Sequence, residues 1–345
     1  MVYNGARGST AQEIAKGFHW NAMKTQQVNE EMKEFNNVLS SANTASNQVS
    51  TANRLFLQEG FEVLQEFTDC CKNYYEAETA LVDYKTDFEG ARAKINAWVE
   101  DKTNQKIKGL LPSGSLTPLT RATLVNAIYF KGLWEKQFKK EHTFPSTFFV
   151  RQNEELEIQM MFQKSKFKYT RDKDLDCEVL EMPYAGGDLS MVVMLPNQVE
   201  GLQTLEDKLT YTALHNAVTS VSKAHVVEVE VSIPKFSMTR QFVLNDMLKA
   251  MGMTELFDVD KADFTGITLG PEKLYVSKVF HKAFVDVNEE GTEAAAATAV
   301  VMMTRMMMRP VPSFTADHPF LFLITHCKSG AILFLGRVAK PESSK

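Results

Sequence analysis

The chain has 345 residues, enough for one large domain or two ordinary ones, and its 44% hydrophobic and 23% charged content is that of an ordinary globular protein. A net charge of -5 gives no general attraction to nucleic acid or an anionic membrane, so neither is an expected partner. No apolar run approaches the ~18 residues of a membrane-crossing helix, and "MVYNGARGST" lacks the apolar core of a secretory leader.

The first third reads as mostly helical. "TAQEIAKGFHW" and "QVNEEMKEFNNVLSSA" are polar-rich segments with spaced apolar residues. Thr86, followed three residues on by Glu89, has the pattern of a capping box. Beyond it Phe88, Ala91, Ile95 and Trp98 fall on one helix face.

Strands follow. "TLVNAIYF", Thr123 to Phe130, is nearly all apolar, as expected of a strand buried on both faces. "CEVLEMPYA" and "DLSMVVML" flank Gly186-Gly187, which predicts a hairpin with a two-residue turn. "VEVEVSI" alternates from Val227 to Ile233, with one face buried and one wet. "PFLFLIT" and "AILFLG", separated by "HCKSG", predict a last hairpin. Helices first and strands later point to an α+β protein with large, mainly antiparallel sheets. No internal repeat and no linker rich in Pro, Gly or Ser divides the chain, so one domain is expected.

Motifs for catalysis are missing. There is no G-x-S-x-G elbow, no P-loop and no H-x-x-x-H pair, so an enzyme is not expected, nor a cofactor or a metal. Asp317-His318 beside Ser313 invites a triad reading, but proximity in sequence is not triad geometry, and a structural role is expected. The basic cluster "KGLWEKQFKK", Lys131 to Lys140, could hold an anion, although it also contains Glu135 and reads as a solvated face. Lys24 and Lys33 are too few to make a heparin-type stripe. Cys70, Cys71, Cys177 and Cys327 have the spacing of neither a disulfide framework nor a zinc site. Free thiols and the lack of an N-x-S/T glycosylation acceptor favour the cytoplasm, with the extracellular space as the alternative.

Several segments together resemble the serpin family. "VNEEGTEAAAAT", Val287 to Thr298, is similar to the serpin hinge, and "FTADHPFLFLI", Phe314 to Ile324, to the C-terminal signature. "NAIYFKGLWEKQF" looks like the third strand of the family's main sheet, and "LYVSKVFHKAFVDVNEEGTEA" like the fifth strand running into the reactive loop. "MVYNGARGST" matches the end of the second helix. The likeness runs from residue 1 to about Pro341 and is strongest to the ovalbumin-type, mostly intracellular group. The resemblance implies the serpin fold, with about eight or nine helices and an exposed reactive loop over about residues 289–312. Against the family pattern the first helix, the first strand and the start of the second helix are absent, roughly 40 to 50 residues.

A suicide-substrate mechanism follows from the resemblance: a protease cuts the loop, which then inserts as a new strand into the main sheet. The hinge residues Glu289, Glu290, Gly291, Thr292, Glu293, Ala294, Ala295, Ala296, Ala297 and Thr298 suit that movement. If Thr292 faces inward as a strand residue, so do Ala294, Ala296 and Thr298, all small and uncharged, and no charge is buried. The family spacing of 16 residues, counted on from Glu289, reaches Arg305 and makes Arg305-Met306 the expected reactive bond. Met306 and Arg309 are the alternatives for the bait position. Arginine suits the S1 pocket of a trypsin-like serine protease, the expected partner in a covalent complex with a monomeric inhibitor. Methionines at 302, 303, 306, 307 and 308 suggest a loop sensitive to oxidation.

Supporting residues carry over one at a time. Asn126 and His281 match the family's shutter, under the centre of the sheet. Trp134, Lys235 and Glu289 match its breach, where the loop enters. The rival expectation is a non-inhibitory serpin with a storage, chaperone or binding role, or an inactive fragment.

Overall fold

The computed structural model describes residues 1–290 and 311–342. Its α-helices are α1 (Val2–Gly5), α2 (Gly8–Gly17), α3 (Thr25–Ala42), α4 (Gln65–Tyr75), α5 (Phe88–Lys102), α6 (Leu202–Lys208), α7 (Tyr211–Lys223) and α8 (Asn245–Ala250). The strands are β1 (Asn47–Gln58), β2 (Glu78–Val82), β3 (Ala122–Gly132), β4 (Thr143–Arg151), β5 (Glu154–Asp172), β6 (Cys177–Pro183), β7 (Leu189–Pro196), β8 (Val226–Pro234), β9 (Phe236–Val243), β10 (Lys278–Val287), β11 (Ser313–Thr315), β12 (Phe320–His326) and β13 (Ile332–Val338). They form a five-stranded sheet in the order β2-β1-β3-β10-β9 and an eight-stranded sheet in the order β11-β8-β5-β6-β7-β12-β13, with β4 beside β5. Backbone packing groups the chain into two compact units.

The first unit comprises Met1–Ser41, Val49–Phe130 and Thr239–Phe284. One of its cores lies where Ala91, Ile95 and Val99 of α5 meet Phe56, Val125, Ala127, Tyr129 and Phe280. The predicted stripe of α5 is therefore real, with Phe88 and Trp98 half-buried at its margin. The predicted cap is not. Asp87 is the N-cap, its carboxylate accepting from the Gly90 N–H at 2.9 Å, while the Thr86 hydroxyl turns back to Asp83. An ionised oxygen at the positive end of the helix is a better acceptor than a hydroxyl, so the cap moves one residue on. From Thr123 to Tyr129 strand β3 is buried at alternate positions and half-buried between them, so its two faces are less alike there than the apolar run implied.

The second unit comprises Ala42–Gln48, Lys131–Met238 and Val285–Lys345. Strand β5, 19 residues long, pairs with β4 along its first half, then with β8 and finally with β6. β6 and β7 form the expected antiparallel hairpin. Its turn is longer than predicted, because Tyr184 N–H still reaches Leu189 O at 2.9 Å and four residues lie between. Gly186 and Gly187 take φ of 93° and 74°, a region closed to most side chains. In β8 the alternation holds from Val229 to Ile233, whereas Val226 and Val227 are exposed. β12 and β13 make the last hairpin, with β12 buried at every position.

Candidate functional site

At the end of β10 the chain turns on side-chain hydrogen bonds. Asn288 Nδ2 donates to Asp286 Oδ2 at 2.8 Å, and the Glu290 N–H donates to Asn288 Oδ1 at 2.9 Å. The Asn288 carbonyl in turn accepts from Trp134 Nε1 at 2.9 Å. Trp134 is buried and stacks on Tyr184, with ring centroids 4.5 Å apart and planes 9° from parallel. Backbone bonds from Glu135 N–H to Pro183 O and from Ala185 N–H to Leu133 O fix the two rings face to face. Burial also holds the Tyr184 phenol neutral, with its pKa pushed well up.

Glu289 points inward and is only 5% exposed. Lys235 Nζ lies 2.9 Å from its Oε2, and the Lys235 backbone N–H is held by Gln159 O at 2.8 Å. Burial alone would raise the Glu289 carboxyl, but hydrogen bonds from Lys235 and a backbone N–H outweigh it and leave its pKa below the usual value. Glu290 points outward to Lys131 at 3.2 Å and Lys140 at 3.5 Å. The hydrogen bond from Lys131 holds its carboxyl low as well. Part of the basic cluster Lys131 to Lys140 thus does hold an anion, the carboxylate of Glu290. Asp286, by contrast, is pushed up by burial even with Lys131 at 3.9 Å.

Asn126 on β3 and His281 on β10 meet in the first unit. His281 Nδ1 is hydrogen-bonded to Asn126 Oδ1, and Asn126 Nδ2 donates to Asn53 Oδ1 on β1. The amide oxygen can only accept, so the imidazole proton sits on Nδ1. Phe242 stacks on the imidazole at 6.0 Å. Burial lowers the His281 pKa, so this chain of three side chains is built around a neutral ring. It ties together three consecutive strands of the five-stranded sheet.

Within the second unit β11 runs parallel to β8, with Ser313, Phe314 and Thr315 opposite Glu230, Val231 and Ser232. Phe314 is completely buried. Ser313 Oγ lies 3.3 Å from Thr315 Oγ1, and His318 is bonded to Asp317 and to the Pro196 carbonyl, so these residues do not form a triad.

The structure therefore brings Lys235 to Glu289, Asn126 to His281, and Trp134 to the backbone beside Glu289. Gly291, Thr292, Glu293, Ala294, Ala295, Ala296, Ala297, Thr298, Arg305, Met306 and Arg309 lie outside the described residues. Asn53, Tyr184 and the Asn288 carbonyl were not predicted. Each joins the site through a partner at least 50 positions away. Among the described residues no group of three or more His, Cys, Asp and Glu is placed to hold a metal, and no helix is long and apolar enough to cross a membrane. All four cysteines are free, and burial pushes the Cys71 and Cys177 thiols up to about 12.

A family model described as "Serpin (serine protease inhibitor)" matches residues 1–341. A Pongo abelii protein named Serpin B6 is 44% identical over 343 residues, covering 99% of this chain and 90% of the relative. The Homo sapiens leukocyte elastase inhibitor is 43% identical over 345 residues, covering 99% of this chain and 89% of the relative. The crystal structure of uncleaved ovalbumin superposes with a TM-score of 0.88 at 33% identity, covering 99% of this chain and 89% of that one.

Proposed function

We propose that this chain, which belongs to the serpin family of protease inhibitors and not to an enzyme family, is a suicide-substrate inhibitor of trypsin-like serine proteases. The reading takes residues 1–345 as one serpin domain with the reactive loop over about 289–312. The observation that carries it is the launch point of that loop. Glu289 and Asn288 are pinned by Lys235 and Trp134 where β10 ends, and the hinge, small and uncharged at the alternate positions Thr292, Ala294, Ala296 and Thr298, follows directly.

In the proposed reaction the protease serine attacks the Arg305 carbonyl, a Ser–acyl bond forms, and the Arg305–Met306 amide breaks with Met306 leaving as a protonated amine. The freed hinge then enters the five-stranded sheet between β3 and β10, which are neighbours in the uncut chain. Entry requires those strands to part, and the Asn53–Asn126–His281 chain spans the place where they must. New strand hydrogen bonds and buried small side chains drive the insertion. The human relative is named for elastase; a basic bait residue directs this chain to a trypsin-like enzyme instead. Four free cysteines favour a reducing, cytoplasmic setting.

The test is incubation with trypsin followed by denaturing gel electrophoresis. The expected result is a band near the summed mass, a cut between Arg305 and Met306, and loss of the band in Arg305→Ala. Clean cleavage without an adduct would overturn the inhibitor reading in favour of a non-inhibitory serpin.

A further inference from the structure

The segment that follows β11 contains a histidine whose surroundings accept hydrogen bonds on both sides. His318 is 8% exposed. Its Nδ1 lies 2.7 Å from Asp317 Oδ1, and its Nε2 lies 2.7 Å from the carbonyl oxygen of Pro196 at the end of β7. A carboxylate and a carbonyl are both acceptors. A neutral imidazole has one N–H and one lone pair, so it can serve only one of them and must aim the lone pair at the other. Only the imidazolium completes both bonds. Burial disfavours that charge, but the bond to Asp317, the bond to the Pro196 carbonyl and the negative charge of Asp317 outweigh it, and the pKa lies above the ordinary histidine value. The further charge facing the ring is Glu178 on β6, whose carboxylate is shared with Tyr169 and Arg171 on β5. β4 contributes a backbone N–H, that of Phe149, to the Asp317 carbonyl at 2.7 Å.

We propose that His318, held as the imidazolium, is a positioning residue that clamps the distal anchor of the reactive loop. β11 pairs with β8 over only three residues. Three residues of parallel pairing are a short tether; the Ala316 N–H extends it to Ser232 O at 2.9 Å, the Phe149 N–H holds the Asp317 carbonyl, and the two hydrogen bonds of His318, to Asp317 and to the Pro196 carbonyl of β7, add the side-chain clamp at its end. The consequence for activity rests on the serpin reading. An uncut loop is tethered at both ends, and it can enter the sheet only if the β11 end lets go. A cut loop needs no such release. Deprotonation of His318 therefore shortens the life of the uncut, active form while leaving insertion after cleavage untouched.

A folded pKa above the unfolded one gives stability that is complete below the unfolded value and is lost as pH rises through the folded value. The clamp is thus closed in mildly acidic solution and opens on the alkaline side.

The experiment measures amide hydrogen exchange of residues 313–318 on the full chain across pH 6 to 9, corrected for intrinsic exchange, beside an NMR titration of His318. The expected result is a rise in exchange of roughly tenfold, the factor that about 1.4 kcal/mol represents, with the same midpoint as the imidazole titration. Asp317→Asn keeps the ring and removes its charge partner, so it should move that midpoint to lower pH. His318→Arg, a permanent cation, should flatten the profile, whereas His318→Gln should exchange fast throughout. The half-life of inhibitory capacity at 37 °C, measured alongside, should shorten over the same pH range. Exchange that ignores the His318 titration, or a midpoint unmoved in Asp317→Asn, would overturn the proposal. Should His318→Gln not fold, the wild-type titration and Asp317→Asn still decide it. Exchange and NMR do not need inhibition, so a chain that forms no adduct with trypsin but shows the predicted exchange sinks the inhibitor reading and keeps the clamp.

Discussion

Removing the ammonium of Lys235 should destabilise the fold by about 2–3 kcal/mol. Glu289, at 5% exposure, has lost nearly all its hydration. A hydrogen bond between charged partners stabilises by about 1.5–3 kcal/mol, and stripping the partner from a fully buried ion pair costs about 3–5 kcal/mol. Lys235 keeps 31% of its side chain exposed, so water can replace part of what it gives, and the lower half of that range applies. Glu289→Gln keeps the shape and loses the charge, and should cost about 1 kcal/mol. The double variant should then be less damaging than the sum, with a coupling of about 1.5 kcal/mol, well beyond the 0.5 kcal/mol expected of independent sites. Urea unfolding of the wild type, the two single variants and the double variant at pH 7 measures it. The Glu289 pKa is depressed, so the contribution is complete above the ordinary carboxylate range and is lost as pH falls through the depressed value. Repeating the cycle in acid should therefore shrink the coupling. A coupling under 0.5 kcal/mol at pH 7, or one that survives acid unchanged, would refute the claim that a buried charge pair holds the start of the loop.

Two further outcomes follow. The His281 pKa is lowered by burial, so its contribution is present above the unfolded value near 6.5 and is lost as pH falls through the lowered one. His281→Gln, which can still donate to Asn126, should remove part of the fall in Tm between pH 7 and pH 5, and an unchanged fall would mean that His281 does not set it. Thr292→Arg places a charge where the proposed insertion would bury it, and should turn adduct into cleaved product by tenfold or more on a gel with trypsin. Equal adduct yield would show that Thr292 does not face inward on insertion.

What could be read ahead of the structure, and what could not, divides by the range of the physics. Alternation in "VEVEVSI" and the glycine pair between two apolar runs are local signals, and the strand and hairpin they imply are present. The helix face of Ala91 and Ile95 is another. The misplaced cap shows the limit of even a local rule: Thr86 fits the pattern, but Asp87 beside it is the stronger acceptor. The pairs Asn126–His281 and Lys235–Glu289 were legible only through likeness to a family, because 155 residues separate the first pair. Asn53, Tyr184 and the Pro196 carbonyl were not legible, since neither an amide, an aromatic ring nor a backbone oxygen announces its partner in sequence.

The two histidines also show why residue type alone does not assign a role. His281 sits against an amide oxygen and an aromatic ring, where a neutral donor suffices and burial pushes its pKa down. His318 sits between a carboxylate and a carbonyl, where only the cation satisfies both and its pKa goes up. Acid therefore works against the contacts of the first and alkali against those of the second. The uncut fold should be held best in the interval between the two titrations, where His281 is neutral and His318 is charged at once. That interval is set by the acceptors facing each ring, so Asp317→Asn should narrow it from the alkaline side and His281→Gln should widen it on the acid side. A stability profile in which either variant moves the opposite edge would contradict the assignment of the two rings.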